Sequence, residues 1–540
     1  MSRHSRKEWR FCLGQGYWSR RKTFVAVTSA PALGSPFHGE AHEQAPTMSS
    51  DKRSSRRKPL AVKRLPVTFA SDNRRVITRF FDPGSKGRMQ NIVERIAQLD
   101  DVEVARLLDE VFQRFRTRHS NIVSVLEQNF HNASLLLGDV GDVDLNRRLL
   151  LGSYFTMEYS IESAALFNPS IVPHLNQRDL PDGAIRFIMS LRATGEGHVS
   201  SIVFRTGIIY SDQRIQVDPL SRHTSPISVR PDKQFDKELF SRKLRDIGVP
   251  QPVAEGVMNC LPDSFTLTQL EQAVLDVREQ QPELIRSEDA VEGIRWLAKS
   301  NYQLKLPPDA EASELVIFPQ TINESRGMED LRLVRFVHDD GTVTYYGTCT
   351  AYDGFRTMPE LIETSDFQTI GVHTLNGAKA LNKGLALFPR RIDGNFVMCS
   401  RIDGENLYIM RSDIVHFWES AELLQTPKQP WEFVQIGNCG SPLETPEGWL
   451  LLTHGVGPMR TYCIGAMLLD LNDPQRIIGV LDEPLIAPTE KERDGYVPNV
   501  AYTCGAMIHR DQLYIPFATS DTTTRFGMVS VERLLDRLTS

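Results

Sequence analysis

From Met89 to about Phe130, apolar residues recur at helical intervals: Ile92, Ile96 and Leu99, then Val104, Leu107, Leu108, Val111 and Phe112. The spacing predicts two or more amphipathic helices, interrupted at Asp100 and Asp101. Residues 145–167, LNRRLLLGSYFTMEYSIESAALF, read as a further helix. It is expected to end before Asn168-Pro169, because the residue ahead of a proline is driven out of the α region. A helical module is thus predicted over about 75–165.

Beyond it the pattern changes to short β-branched and aromatic runs separated by acidic-glycine turns, among them AIRFIMSLRA, SSIVFRTGIIY, GWLLLTHGV and YCIGAMLLDL. Hairpin signals at Asp340-Gly341, Asp393-Gly394 and Glu447-Gly448 recur at about 53 residues, the size of a four-stranded propeller blade. An earlier turn at Asp182-Gly183 marks the first unit, and a later one lies near Asp511. A sandwich or solenoid has similar spacing, so periodicity alone gives all-β repeats over 166–540. Residues 235–303 return to helical spacing through Leu270, Val274, Ala290, Ile294 and Leu297, with Thr268 and Glu271 as a candidate capping box. They read as an insertion.

Composition narrows the function. The 540 residues carry a formal charge of only -6 and are 41% hydrophobic, which points away from nucleic acid or an anionic membrane as the main partner. A small-molecule substrate fits better. Seven scattered cysteines without a CxxC pair suit reduced thiols and a cytoplasmic location. No run reaches the ~20 apolar residues of a membrane span. The first 65 residues, rich in Arg, Lys, Ser and Pro, read as a disordered basic leader, with Met48 as an alternative start. No HxH, HExxH, GxGxxG or Walker motif is present, so neither a metal nor a nucleotide cofactor is expected.

The densest chemistry lies in NESRGMEDLR, Asn323 to Arg332, followed by TAYDG. On an extended strand Glu329 and Asp330 face opposite sides, so one is expected to meet a cleft and the other its supporting shell, with Arg332 on the side of Asp330. A surface ion-pair cluster would look the same. Other polar residues stand at corresponding places in the repeats: Arg192, Lys383, Arg401, His454, Tyr462, Asn499 and Asp521. In a propeller such places converge on one axial opening.

The NPS of Asn168 to Ser170, the EDLR run, LNKGLALFPRR followed by FVMCSR, GWLLLTHGV, and the YCIGAMLLDLNDP, GYVPNVAYTCGAM and YIPFATSDT segments together resemble glycoside hydrolase family 130. The resemblance implies a mainly β fold, a five-bladed β-propeller carrying the helical module and the insertion. It implies an inverting β-mannoside phosphorylase that uses inorganic phosphate as co-substrate, needs no other cofactor and releases α-D-mannose 1-phosphate. Asp330 would be the general acid and Lys383 with Arg401 the phosphate cradle. Asn168, Arg192, Glu329, Arg332, His454, Tyr462 and Asp521 would hold the substrate, a β-manno-oligosaccharide or mannosyl-sugar. A shielded pocket is expected to raise the acid's pKa, and Arg332 to orient Glu329 or the sugar. Ser400 stands where the family commonly has histidine before the arginine, which weakens the phosphate assignment. An inverting β-mannosidase is the alternative and needs a second carboxylate roughly 6.5–9.5 Å away. Glu405 and Glu444 are candidates, although both lie near turns. A non-catalytic sugar-binding propeller and a homo-oligomer built through the helices also remain open.

Overall fold

The computed structural model describes residues 60–540 apart from 139, 141–142, 222, 225–226, 231–232 and 286–287. Ala61–Ser540 forms one compact unit. The leader expected over residues 1–65 lies outside the described residues as far as 59. Its last residues belong instead to the strand Lys63–Phe69, which pairs antiparallel with Thr523–Ser530 at the other end of the chain.

Helices Lys86–Ala97, Asp101–Phe115, Ile122–Leu137 and Leu145–Tyr154 follow the apolar spacing and bury Ile96, Val104, Leu108, Leu126 and Leu150. The break falls at Asp100, whose side chain accepts from Glu103 N and caps the second helix. The helix expected over 145–167 stops at Tyr154. Thr156–Ser160 pairs with Val76–Phe80, and Ala165–Pro173 is already a strand of the β region. Short apolar runs fit either period, and here pairing with a distant strand decides.

The β region is a succession of antiparallel sheets. The first holds Ala165–Pro173, Ile185–Thr194, Ser200–Ile209 and Ile215–Val217. The second holds Gly327–Val337, Val343–Tyr352, Thr357–Thr364 and Thr369–Thr374, widened by Tyr302–Lys305 and linked to the first at Gly327 and Ser200. The third runs Lys383–Leu387, Phe396–Arg401, Leu407–Ser412, Glu422–Gln425. The fourth is built on Gln435–Asn438, Gly448–Val456, Tyr462–Leu469 and Ile477–Val480, and the last on Ala501–Tyr502, Gln512–Thr519, Thr523–Ser530 and Lys63–Phe69. The turns at Gly341, Gly394 and Gly448 sit where the hairpin signals place them, each glycine at positive φ.

Hydrogen bonds tie each sheet to its neighbour. Leu333 N donates to Ser170 Oγ at 2.9 Å, Thr348 Oγ1 to Leu385 O, Ile436 N to Glu405 O at 2.9 Å and Tyr462 N to Asn499 O at 3.0 Å. Cys504 N donates to Pro169 O at 2.7 Å, which joins the last sheet to the first. Among the described residues the chain is therefore mainly β, with a helical N-terminal part.

The insertion folds as helices Lys237–Asp246, Gln251–Asn259, Leu267–Gln280 and Glu288–Ser300 around Phe240, Leu244, Val257, Phe265, Val274, Val291 and Ile294. Its capping box is made by Thr266 and Gln269, not by Thr268 and Glu271. Glu271 instead binds Arg295. Lys243 docks the insertion on the second sheet, donating to Asn301 Oδ1 and Thr374 O at 2.8 Å each. No described helix is long and apolar enough to cross a membrane.

Candidate active site

Three of the leading strands share one irregularity. Register slips between Phe167 and Ser170, between Glu329 and Arg332, and between Lys383 and Ala386. Each slip holds a residue at positive φ: Asn168 at 49°, Asp330 at 57° and Gly384 at 85°. Asn, Asp and Gly are the residues that accept this conformation most readily, and a bulge re-aims the side chains it carries. The alternation expected of Glu329 and Asp330 is therefore wrong. Both carboxylates converge on Arg192, whose Nη2 donates to Glu329 Oε1 at 2.9 Å and whose Nη1 donates to Asp330 Oδ1 at 3.4 Å.

Around this pair the contacts are specific. Asn168 Nδ2 donates to Asp330 Oδ1 at 2.8 Å, and Lys383 Nζ donates to Glu329 Oε2 at 2.6 Å. Arg332, expected to orient Glu329 or the sugar, makes no hydrogen bond to Glu329. It is buried, giving Nε to Cys439 O at 3.0 Å, Nη1 to the backbone carbonyl of Asp330 at 3.1 Å and Nη2 to the Tyr502 hydroxyl at 2.8 Å. Its work is to fix the bulge that carries Asp330.

Arg401 stands directly opposite Lys383 across the ladder. Its Nη1 lies 3.1 Å from His454 Nε2, and His454 Nδ1 lies 3.2 Å from Asn438 O. A carbonyl only accepts, so Nδ1 carries the proton and Nε2 offers its lone pair to the guanidinium. Burial, together with the charges of Arg401 and Arg332, holds this imidazole well below its usual pKa, which suits the neutral form. Tyr462 stacks on His454 at 6.2 Å and receives a 3.4 Å hydrogen bond from Gln435 Nε2. Tyr502 meets the same imidazole edge-on at 5.0 Å. Asn168 Oδ1, Arg401 Nε and both amide atoms of Asn438 are buried without a hydrogen-bond partner among the described residues.

Asp521 sits at φ 49° in the turn between Gln512–Thr519 and Thr523–Ser530. Burial and the charge of Asp330 push its carboxyl up to about 7. Burial acts on Asp330 in the same direction, but Arg192, Arg332, the Asn168 hydrogen bond and Lys383 outweigh it and hold that carboxyl below the ordinary aspartate value. This reverses the expectation of a raised acid at position 330.

The ten residues to which the family resemblance gives a role thus belong to one neighbourhood. Tyr502, Asn438 and Gln435 were missed. Tyr502 lies within GYVPNVAYTCGAM but reads there as an apolar strand position, and nothing local marks the other two. Glu444 is bound to Arg390 on the surface at 2.8 Å, and Glu405 is an exposed turn residue, so neither joins the site. Among the described residues no group of three His, Cys, Asp or Glu is placed to hold a metal ion.

Residues 308–540 match the glycoside hydrolase 130 family, described as β-1,4-mannooligosaccharide phosphorylase. The chain is 32% identical over 217 residues to a 1,2-β-oligomannan phosphorylase of Thermoanaerobacter sp. (strain X514), covering 38% of this chain and 69% of that protein. It is 34% identical over 226 residues to a β-1,2-mannobiose phosphorylase of the same organism, covering 41% and 72%. A solved structure of β-1,2-mannobiose phosphorylase from Listeria innocua with β-1,2-mannobiose aligns over 70% of this chain and 93% of its own, at 21% identity and a TM-score of 0.42.

Proposed function

The chain belongs to glycoside hydrolase family 130, and from that membership we propose that it is an inverting β-mannoside phosphorylase with a five-bladed propeller fold. It takes a short β-mannoside and inorganic phosphate to α-D-mannose 1-phosphate and the shortened acceptor. The ring of sheet-to-sheet hydrogen bonds, closed by Lys63–Phe69 on the last sheet, supports the propeller reading.

One observation carries the choice of phosphate over water. Arg401 meets no carboxylate among the described residues, and it is braced by a neutral histidine opposite Lys383. A guanidinium whose Nη1 alone is engaged, by a neutral ring, and whose Nε has no hydrogen-bond partner among the described residues is suited to an oxyanion. Hydrolysis would instead need an ionised carboxylate to activate water. Glu405 and Glu444, the carboxylates put forward for that role, lie at the surface.

Phosphate held by Arg401 and Lys383 attacks the anomeric carbon from the face opposite the leaving oxygen. The C1–O bond to the acceptor breaks as the C1–O bond to phosphate forms, so the β-linkage becomes an α-phosphate. The leaving oxygen needs a proton, which Asp330 delivers, directly or through a sugar hydroxyl. Asp330 is held ionised in the free site by its cations. An incoming phosphate anion offsets those cations and so favours proton uptake at Asp330 as the substrate complex assembles. Arg192, Asn168, Asp521 and Tyr462 hold the mannosyl ring. Glu329 sets Arg192 and Lys383, and Arg332 sets the Asp330 backbone.

Running the reaction backwards tests this directly. Supplied with α-D-mannose 1-phosphate and mannose or glucose, the protein is expected to release phosphate and form a β-mannoside. No phosphate release and no disaccharide here, with free mannose formed from a β-mannoside in the absence of phosphate, would make it a hydrolase.

A further inference from the structure

Away from these residues, a cavity of about 500 Å3 opens where the helical insertion meets the outer strands of the second sheet. Arg230, Lys233, Gln303, Glu363, Ser365 and Thr369 supply its polar wall. Thr344, also on its wall, pairs with Phe336, about seven residues along the strand from Glu329. That separates the cavity from the carboxylates by roughly 20 Å.

Lys233 is the informative group. Its Nζ is buried without a hydrogen-bond partner among the described residues, and the Phe235 ring lies 5.1 Å away. Burial pushes its ammonium down to about 7 in spite of Glu363. Lys243, on the adjoining helix, is lowered to about 7 as well but is satisfied by Asn301 and Thr374. A desolvated ammonium with no acceptor is unfavourable, and an anion beside it removes the penalty. Burial and the neighbouring Lys233, His416 and Lys243 keep His373 well below its usual pKa, so it adds no charge near neutrality. Glu363, 3.9 Å from His373, is the one carboxylate on the wall among the described residues and offers an acceptor for a hydroxyl. The space is far larger than a phosphate ion, and amides and hydroxyls dominate the rest of the lining.

We infer that this cavity is a second ligand site that takes a phosphorylated monosaccharide, its phosphate against Lys233 and its hydroxyls toward Gln303, Glu363, Ser365 and Thr369. Phe235, two residues after Lys233, belongs to the core of the insertion. A ligand there ties the insertion to the sheet that carries Asp330. The inference does not depend on the reaction catalysed.

The test is thermal unfolding of the full chain with glucose 6-phosphate or uncharged glucose, in wild type, Lys233→Met and Arg401→Gln. The expected result is a rise of roughly 2–4 °C with saturating glucose 6-phosphate, kept in Arg401→Gln, lost in Lys233→Met and absent with glucose. Lys233→Gln replaces Lys233→Met if the latter does not fold. Calorimetry in two buffers at pH 8 is expected to register proton uptake on binding, because the lysine regains its charge. No stabilisation of wild type, equal stabilisation by glucose, or a shift that survives both Lys233 variants or disappears in Arg401→Gln would overturn the site.

Discussion

Lys383 Nζ is bound at 2.6 Å by Glu329 Oε2, while Arg401, its partner across the ladder, meets no carboxylate among the described residues. The two cations of the proposed phosphate cradle are therefore unlike. One is pinned by an acid that also grips Arg192, and the other is braced by a neutral ring.

Removing the charge of the pin makes this visible. Glu329→Gln loses two charge-assisted contacts at once, and each is worth about 1.5–3 kcal/mol. Lys383 and Arg192 then lose their fixed positions. The expected effect is a fall of roughly 10- to 100-fold in kcat/KM for phosphate. Initial rates against phosphate concentration check it, and an unchanged KM for phosphate would argue against the cradle.

Asp330→Asn separates chemistry from folding. Asparagine tolerates φ 57° and can keep the contact to Arg192, so the variant is expected to fold and bind substrate. It cannot pass a proton to the leaving oxygen, and turnover is expected to fall by roughly 10²–10⁴. Calorimetric binding of a β-mannoside alongside the rate distinguishes this from a damaged site.

Asp521 gives a pH signature. Its folded-state pKa of about 7 lies above that of an unfolded aspartate, so the folded chain holds an extra proton between about pH 4 and 7. The stability it contributes is full below about pH 4 and is lost as the pH rises through about 7. Asp521→Asn fixes the neutral form. Its advantage over wild type in thermal midpoint is expected to grow from about pH 5 to 8, and a constant difference would contradict the shift.

His454 acts through Arg401. His454→Ala removes one acceptor worth about 1 kcal/mol, so the KM for phosphate is expected to rise roughly fivefold with kcat little changed. Because the imidazole is neutral throughout, the variant and wild type are expected to share their pH dependence between about 6 and 8.

Several local features of the fold are legible in the chain; the insertion's capping box, the end of the helix that starts at Leu145 and the long-range pairings are not. Asp100 as a helix start and the glycine hairpins follow from rules that span a few residues. The strand Lys63–Phe69 hid in a basic stretch because its partner, Thr523–Ser530, is nearly the whole chain away. At the site, residue types were readable but orientation was not. Strict alternation put Glu329 and Asp330 on opposite sides, and one extra residue in the ladder at a positive φ brought them together. Arg332 shows the same limit: its partners Cys439 and Tyr502 come from two later sheets, so no spacing near EDLR signals its role.

The most direct measurement incubates the protein with β-1,2- and β-1,4-linked manno-oligosaccharides and mannosyl-glucose, with and without phosphate, following mannose 1-phosphate and free mannose separately. α-D-Mannose 1-phosphate is expected only when phosphate is present, and that product is expected to be lost in Arg401→Gln. Free mannose formed at the same rate without phosphate would contradict it.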